Sequence, residues 1–140
     1  MGAAIVAVLI DSSVFISLER SGEPLEGFIE SLGDEESYLA SMTAAELLIG
    51  VHRADSEERR MRRQNFVEQT LSLVTVVPFD LQVARTHAAL WDRMAAAGGL
   101  IGDRDLMIAA TALTYGYDVL TLDLRDFGRV PDLTVRRANL

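Results

Sequence analysis

The chain has 140 residues, 49% of them hydrophobic and 24% charged, with a net charge of −8. That length suits one domain of the usual roughly 100–200 residues, expected to span 1–140, and the apolar share supplies a core, which excludes a disordered chain. Cysteine is absent, so disulfides, thiolate metal sites and cysteine nucleophiles are excluded, and all thirteen basic residues are arginine, which removes every mechanism that needs a lysine amine.

The first element is the apolar run Ile5 to Ile10, rich in β-branched residues and closed by Asp11. It reads as a strand buried on both faces, the kind that belongs to parallel sheets. The longer run from Ala3 falls far short of the ~18 residues of a membrane span, and no basic residue precedes it as in a signal peptide, so a soluble cytoplasmic protein is expected. Val14 to Glu19 reads as a short helix. "GEP" restarts the chain into "LEGFIESL", where Leu25, Phe28, Ile29 and Leu32 recur at helical spacing.

"GDEES" is a loop and "YLAS" a short strand. From Thr43 the pattern is helical, with Leu47, Leu48 and Val51 on its apolar face. Glu57 to Leu71 is a charged helix carrying "RRMRRQ", with four arginines in positions 59–63. "SLVTVVPF" is β-rich and ended by Pro78; Leu81 to Ala97 is a long helix closed by Gly98 and Gly99. "IGDRDLMIAATALTYG" is a buried helix ending at Gly116, "DVLTLD" a strand ending in an acid, and "LTVRRANL" an edge strand. Strands alternating with helices predict a three-layer α/β/α sandwich with a mainly parallel central sheet, whose ligands bind beyond the carboxyl ends of the strands.

Several acids fall at those ends, each with an ordinary alternative. Asp11, between a strand and a helix, suits an N-cap or an Asx turn. "TAAE", residues 43–46, matches a capping box in which Thr43 caps the helix and Glu46 reaches back to its amide. Asp103 and Asp105 lie in a first helical turn, where the dipole favours negative charge, and one of them can be the cap. Asp123 and Asp126 follow a strand, where turn formation would account for either. Taken together, two strand ends and two helix starts converge on one sheet edge. Carboxylates that close repel one another unless a cation lies between them, and a hard divalent ion, Mg²⁺ or Mn²⁺, is the natural partner of oxygen ligands. Such a site can activate water against a phosphodiester, which points to a nuclease.

At these residues the chain resembles the PIN-domain family, in particular VapC-type ribonuclease toxins of toxin–antitoxin pairs. The matching pieces are "LIDSSVFI" (9–16), "SMTAAELLIGV" (41–51), "DRDLMIAATALTYG" (103–116) and "LTLDLRDFGRV" (120–130), in family order across nearly the whole chain. The resemblance implies that Asp11, Glu46, Asp105 and Asp123 form an acidic Mg²⁺ or Mn²⁺ pocket, with Asp11 and Asp105 as principal ligands. Ser12, Ser13 and Thr121 match hydroxyl residues that hydrogen-bond near the pocket, and Asp126 matches a supporting acid. The family often has asparagine where Asp123 stands. The implied activity is endoribonuclease, hydrolysing single-stranded or loop RNA with a metal-activated water. The implied partners are a cognate VapB-type antitoxin and a second copy in a homodimer.

An acidic pocket needs basic residues at its margin to hold RNA phosphates, and Arg104, Arg125 and the 59–63 run are the candidates. For the run, solvated helix pairs between Glu57 or Glu58 and Arg62 are the plainer expectation. His52 and His87 lie outside the matched motifs and are expected to be structural or superficial; Trp91 and Met94 suit core or dimer surface. A phosphoacceptor receiver domain and a dehalogenase-type phosphatase normally need a lysine, and residue 13 is serine where the latter wants an aspartate. A dinucleotide binder needs a glycine-rich turn that "DSSVF" lacks. The remaining alternative is a PIN-fold binding module with little or no catalysis that partners an antitoxin-like DNA-binding protein.

Overall fold

The structure is a computed structural model that describes residues 6–140, so Ile5, the first residue of the predicted strand, lies outside the described residues. Strand β1 (Ala7–Ile10) carries Val8, Leu9 and Ile10, all fully enclosed. Their continuous apolar character has a simple cause: Leu9 belongs to one hydrophobic core, while Val8 and Ile10 belong to another on the opposite side of the sheet.

Helices α1 (Ser12–Ser21) and α2 (Leu25–Ser31) lead to β2 (Glu36–Ala40), followed by α3 (Ser41–His52), α4 (Glu57–Leu73) and β3 (Thr75–Val77). The chain continues through α5 (Leu81–Ala96), α6 (Asp103–Tyr115), β4 (Asp118–Thr121), α7 (Leu124–Phe127) and β5 (Val135–Arg137). The five strands pair in parallel in the order β3-β2-β1-β4-β5. Val14, Phe15 and Leu18 of α1 pack with Leu25, Leu47 and Val67 on one face, and Val83, Leu90, Leu106 and Ile108 of α5 and α6 cover the other. The expected three-layer parallel architecture is therefore present.

This strand order has a functional consequence. From β1 the chain proceeds to one side of the sheet through β2 and β3, then crosses to the other side at β4, so the order reverses between β1 and β4. At such a switch point the loops diverge and leave a crevice beyond the carboxyl ends of the two strands.

Several local expectations change. The segment expected as a strand from Ser72 begins only at Thr75, because α4 continues to Leu73. The four-residue α7 stands where a plain loop was expected. Gly116 ends α6 at φ +74°, a left-handed position that suits glycine, and lets the Tyr117 amide return to the Ala112 carbonyl. Met94 is buried, whereas Trp91 is exposed on α5, as are Leu48 and Ile49 on α3. Among the described residues no helix is long and apolar enough to cross a membrane.

Candidate active site

Asp11 is held by the sheet itself: its amide donates to the Leu120 carbonyl at 2.9 Å, continuing the pairing of β1 with β4. It occupies the N-cap position of α1, but its side chain caps nothing. Instead its Oδ2 accepts from Ser13 Oγ at 2.7 Å and from Thr121 Oγ1 at 2.9 Å. Each hydroxyl has one proton, and each is kept in place by accepting an amide: Leu122 on Ser13, Asp123 on Thr121. Two donors on one oxygen fix the carboxylate in place and leave Oδ1 for another partner. Asp11 is only 5% exposed.

Glu46 lies in the second turn of α3, and the capping-box expectation fails here. The helix starts at Ser41 with Ala40 at its N-cap, so Thr43 is already inside it, buried with its hydroxyl unpaired. Glu46 Oε2 accepts from Ser12 Oγ at 3.0 Å and meets Arg104 Nη1 at 3.3 Å. Ser12 and Ser13 thus serve different acids.

Asp105 sits in the first turn of α6, yet Gly102 is the N-cap and neither Asp103 nor Asp105 caps the helix with its side chain. The Asp105 carboxyl is pushed up to about 6, chiefly by burial and then by the charges of Asp11, Asp126, Asp123 and Glu46. The four other acids are therefore close enough to act on this position, although the end of β1, α3 and the segment from the end of β4 through α7 supply them separately. Asp123 is exposed and does act as a cap, its Oδ1 accepting the Arg125 amide at 3.2 Å at the start of α7. Asp126 faces Arg129 across 4.0 Å.

Among the described residues no three carboxylates or imidazoles are drawn together into a closed ion cage. The acids line a rim instead, as mutually repelling groups do. The donor set nevertheless suits a hard cation: every donor is oxygen, and Mg²⁺ is commonly bound by one or two carboxylates with waters completing its shell. A bound cation would relieve the repulsion that raises Asp105. Beside it lies a cavity of about 560 Å³ between α3 and α6, lined by Met42, Glu46, Asp103, Arg104, Asp105 and Met107 among others.

The PIN domain family matches residues 8–133. The chain belongs to the PIN-domain family. A Rickettsia bellii protein named Ribonuclease VapC is 35% identical over 130 residues, covering 93% of this chain and 95% of that protein. A solved VapBC2 complex from Rickettsia felis, bound to a DNA fragment from its promoter, superposes with a TM-score of 0.84 at 20% identity, over 96% of this chain and 100% of the matched one. A VapBC-5 structure from Mycobacterium tuberculosis, a member of the VapBC family of toxin-antitoxin systems, gives 0.73 at 29% identity, over 96% and 99%.

The rim of this PIN domain carries arginines that the sequence reading divides unevenly. Arg104 points at Glu46, and the Arg125 backbone, rather than its side chain, contacts Asp123. Arg137, not singled out as a site residue, pairs in register with Thr121 and donates from Nη1 to the Leu122 carbonyl at 3.4 Å. Its only sequence signal is an arginine at the end of an edge strand. His87 packs edge-on against Phe79, and His52 ends α3, so the PIN domain's acidic rim contains neither histidine.

Proposed function

We propose that this PIN domain is a Mg²⁺- or Mn²⁺-dependent endoribonuclease, the toxin of a toxin–antitoxin pair. The observation that carries the reading is Asp105, a carboxyl raised by its burial and by four neighbouring acids at the switch point of a parallel sheet. The relative named Ribonuclease VapC supports the activity, and the VapBC relative supports a VapB-type antitoxin as partner. The reading extends to a cytoplasmic homodimer, for which exposed Trp91 offers apolar surface.

In this reading Asp11, Asp105, Glu46 and Asp123 hold the cation and Asp126 supports them. When bound, the ion supplies a Lewis acid for a phosphodiester and lowers the pKa of water at the site. The protein contributes orientation. Ser13 and Thr121 hold the Asp11 carboxylate in position, Ser12 directs Glu46, and Arg104 and Arg125 bind RNA phosphates at the rim. Arg104, whose side chain is more than half exposed, then exchanges Glu46 for phosphate when RNA arrives.

Purified protein incubated with mixed RNA and Mg²⁺ or Mn²⁺ should give cleavage that EDTA stops and Asp11→Asn removes. Cleavage that survives both overturns the metal site, and no cleavage of any RNA returns the question to the binding module. Sequencing the new 5′ ends would identify the RNA.

A further inference from the structure

One surface depression is lined by five side chains, all of them charged: Glu19, Arg20, Arg59, Arg62 and Arg63. Glu19 and Arg20 come from the end of α1, where the helix dipole favours a cation, and the other three arginines from the first half of α4. Arg59 pairs with Asp55 at 3.1 Å, but both partners are more than half exposed and the pair is correspondingly weak. Arg63 donates to the Gly50 carbonyl at 2.9 Å, which ties α4 to α3 without neutralising its charge. Glu57 pairs with Arg60 rather than Arg62, correcting the expectation of a solvated Glu–Arg62 pair. Among the described residues neither Arg20 nor Arg62 forms an ion pair.

A groove connects this depression to the acidic rim. Glu46 stands in it together with Glu19, Arg20 and Arg63, and Ile16 and Phe66 lie in its walls. A chain of net charge −8 with five carboxylates around its centre repels a polyanion. Affinity for RNA therefore has to come from local concentrations of cations.

We infer that Arg20, Arg59, Arg62 and Arg63 form a phosphate-binding subsite for a single-stranded RNA that runs along this groove from the acidic centre. The inference rests on the ribonuclease reading and adds a second point of attachment to it. Guanidinium forks match phosphate geometry, and the apolar walls between the two ends suit unstacked bases. An acidic protein segment would meet the same charges and the same apolar walls; the clustering of four guanidiniums, two of them without an ion pair among the described residues, favours the bidentate phosphates of RNA, and an acidic peptide is the other outcome of the test.

The test is the double variant Arg20→Gln/Arg62→Gln, whose two positions are exposed and make no ion pair, so folding should be unchanged. A labelled mixed-sequence RNA of about 20 nucleotides is titrated in EDTA, so that binding is read without turnover. The slope of log K against log salt should flatten by about 1.4, at ~0.7 per lost phosphate contact on a single strand. With Mg²⁺ or Mn²⁺ present, KM should rise several-fold at constant kcat, while cleavage of a trinucleotide stays unchanged. An unchanged slope and KM overturn the subsite, and so does an unchanged RNA slope accompanied by weaker binding of a polyglutamate peptide. Wild-type protein that binds RNA but never cleaves it sinks the ribonuclease reading alone, since the slope measured in EDTA still decides the subsite.

Discussion

Thr121 Oγ1 donates to Asp11 Oδ2 at 2.9 Å, joining the end of β4 to the end of β1 across the point where the sheet reverses its order. The same hydroxyl accepts the Asp123 amide at 2.9 Å, so one buried side chain orients two of the proposed cation-binding acids. Thr121→Val keeps the shape and removes both contacts. It should cost about 1 kcal/mol or more of stability through the unpaired amide, and about 10–100-fold in cleavage or metal affinity, as is typical of groups that orient a ligand. Thr121→Ser restores the hydroxyl and should recover most of the activity. Metal titration of all three proteins checks this, and equal affinities would refute the orienting role.

Asp11→Asn probes the carboxylate itself. The amide oxygen can still accept from Ser13 and Thr121, so the thermal midpoint of metal-free protein should move by only a few degrees. Cleavage should fall by more than the ~100-fold ceiling of an orienting residue. Loss of the Asp11 charge should also lower the Asp105 carboxyl, because Asp11 is the largest charge acting on it. A carbon-13 NMR titration of Asp105 reads that shift, and an unmoved titration would show that the two acids are not coupled.

Much of this arrangement was legible before the fold. The uninterrupted apolar run at Val8–Ile10 announces a strand covered on both sides, and an acid at its end announces a polar crevice, because both follow from local pattern. The Thr43–Glu46 spacing misleads for a physical reason. A capping box is a local motif, and here β2 passes directly into α3, whose first hydroxyl, Ser41 Oγ, donates to Val77 of the neighbouring strand. Helix α7 escapes notice because "LRDF" is too short to show periodicity. Arg137 gains its place only through register with Thr121, and the Arg20–Arg62 cluster only through the packing of α1 beside α4, neither of which leaves a mark in sequence spacing.

Gly128 closes α7, and its amide donates to the Leu124 carbonyl at 2.9 Å. A Cβ at that position would lie 2.7 Å from the same oxygen, with no flexible side chain able to yield. Gly128→Ala should therefore destabilise by about 1–3 kcal/mol through overpacking, and it should displace α7 together with Asp123 and Asp126. Denaturant unfolding measures the first effect and residual cleavage the second. A variant as stable and active as the parent would mean that α7 opens without consequence for the acids.

Asp105 gives the protein an unusual pH dependence. Its carboxyl titrates at about 6 in the folded protein and near 3.9 in an unfolded chain. Between those values the folded state binds more protons, so stability falls as pH rises through the window and levels off above it, opposite to the behaviour of a salt-bridged acid. In EDTA, the thermal midpoint of wild-type protein relative to Asp105→Asn should therefore decline from pH 4 to pH 6.5. A divalent cation that takes the ionised form reverses the penalty. Its affinity should increase with pH up to about 6, with one proton released on binding below that value. At a hundredfold excess over its dissociation constant, Mg²⁺ or Mn²⁺ should restore about 2.7 kcal/mol. If wild type and Asp105→Asn share the same pH curve, and neither is stabilised by metal, the raised carboxyl is not linked to folding or to a cation.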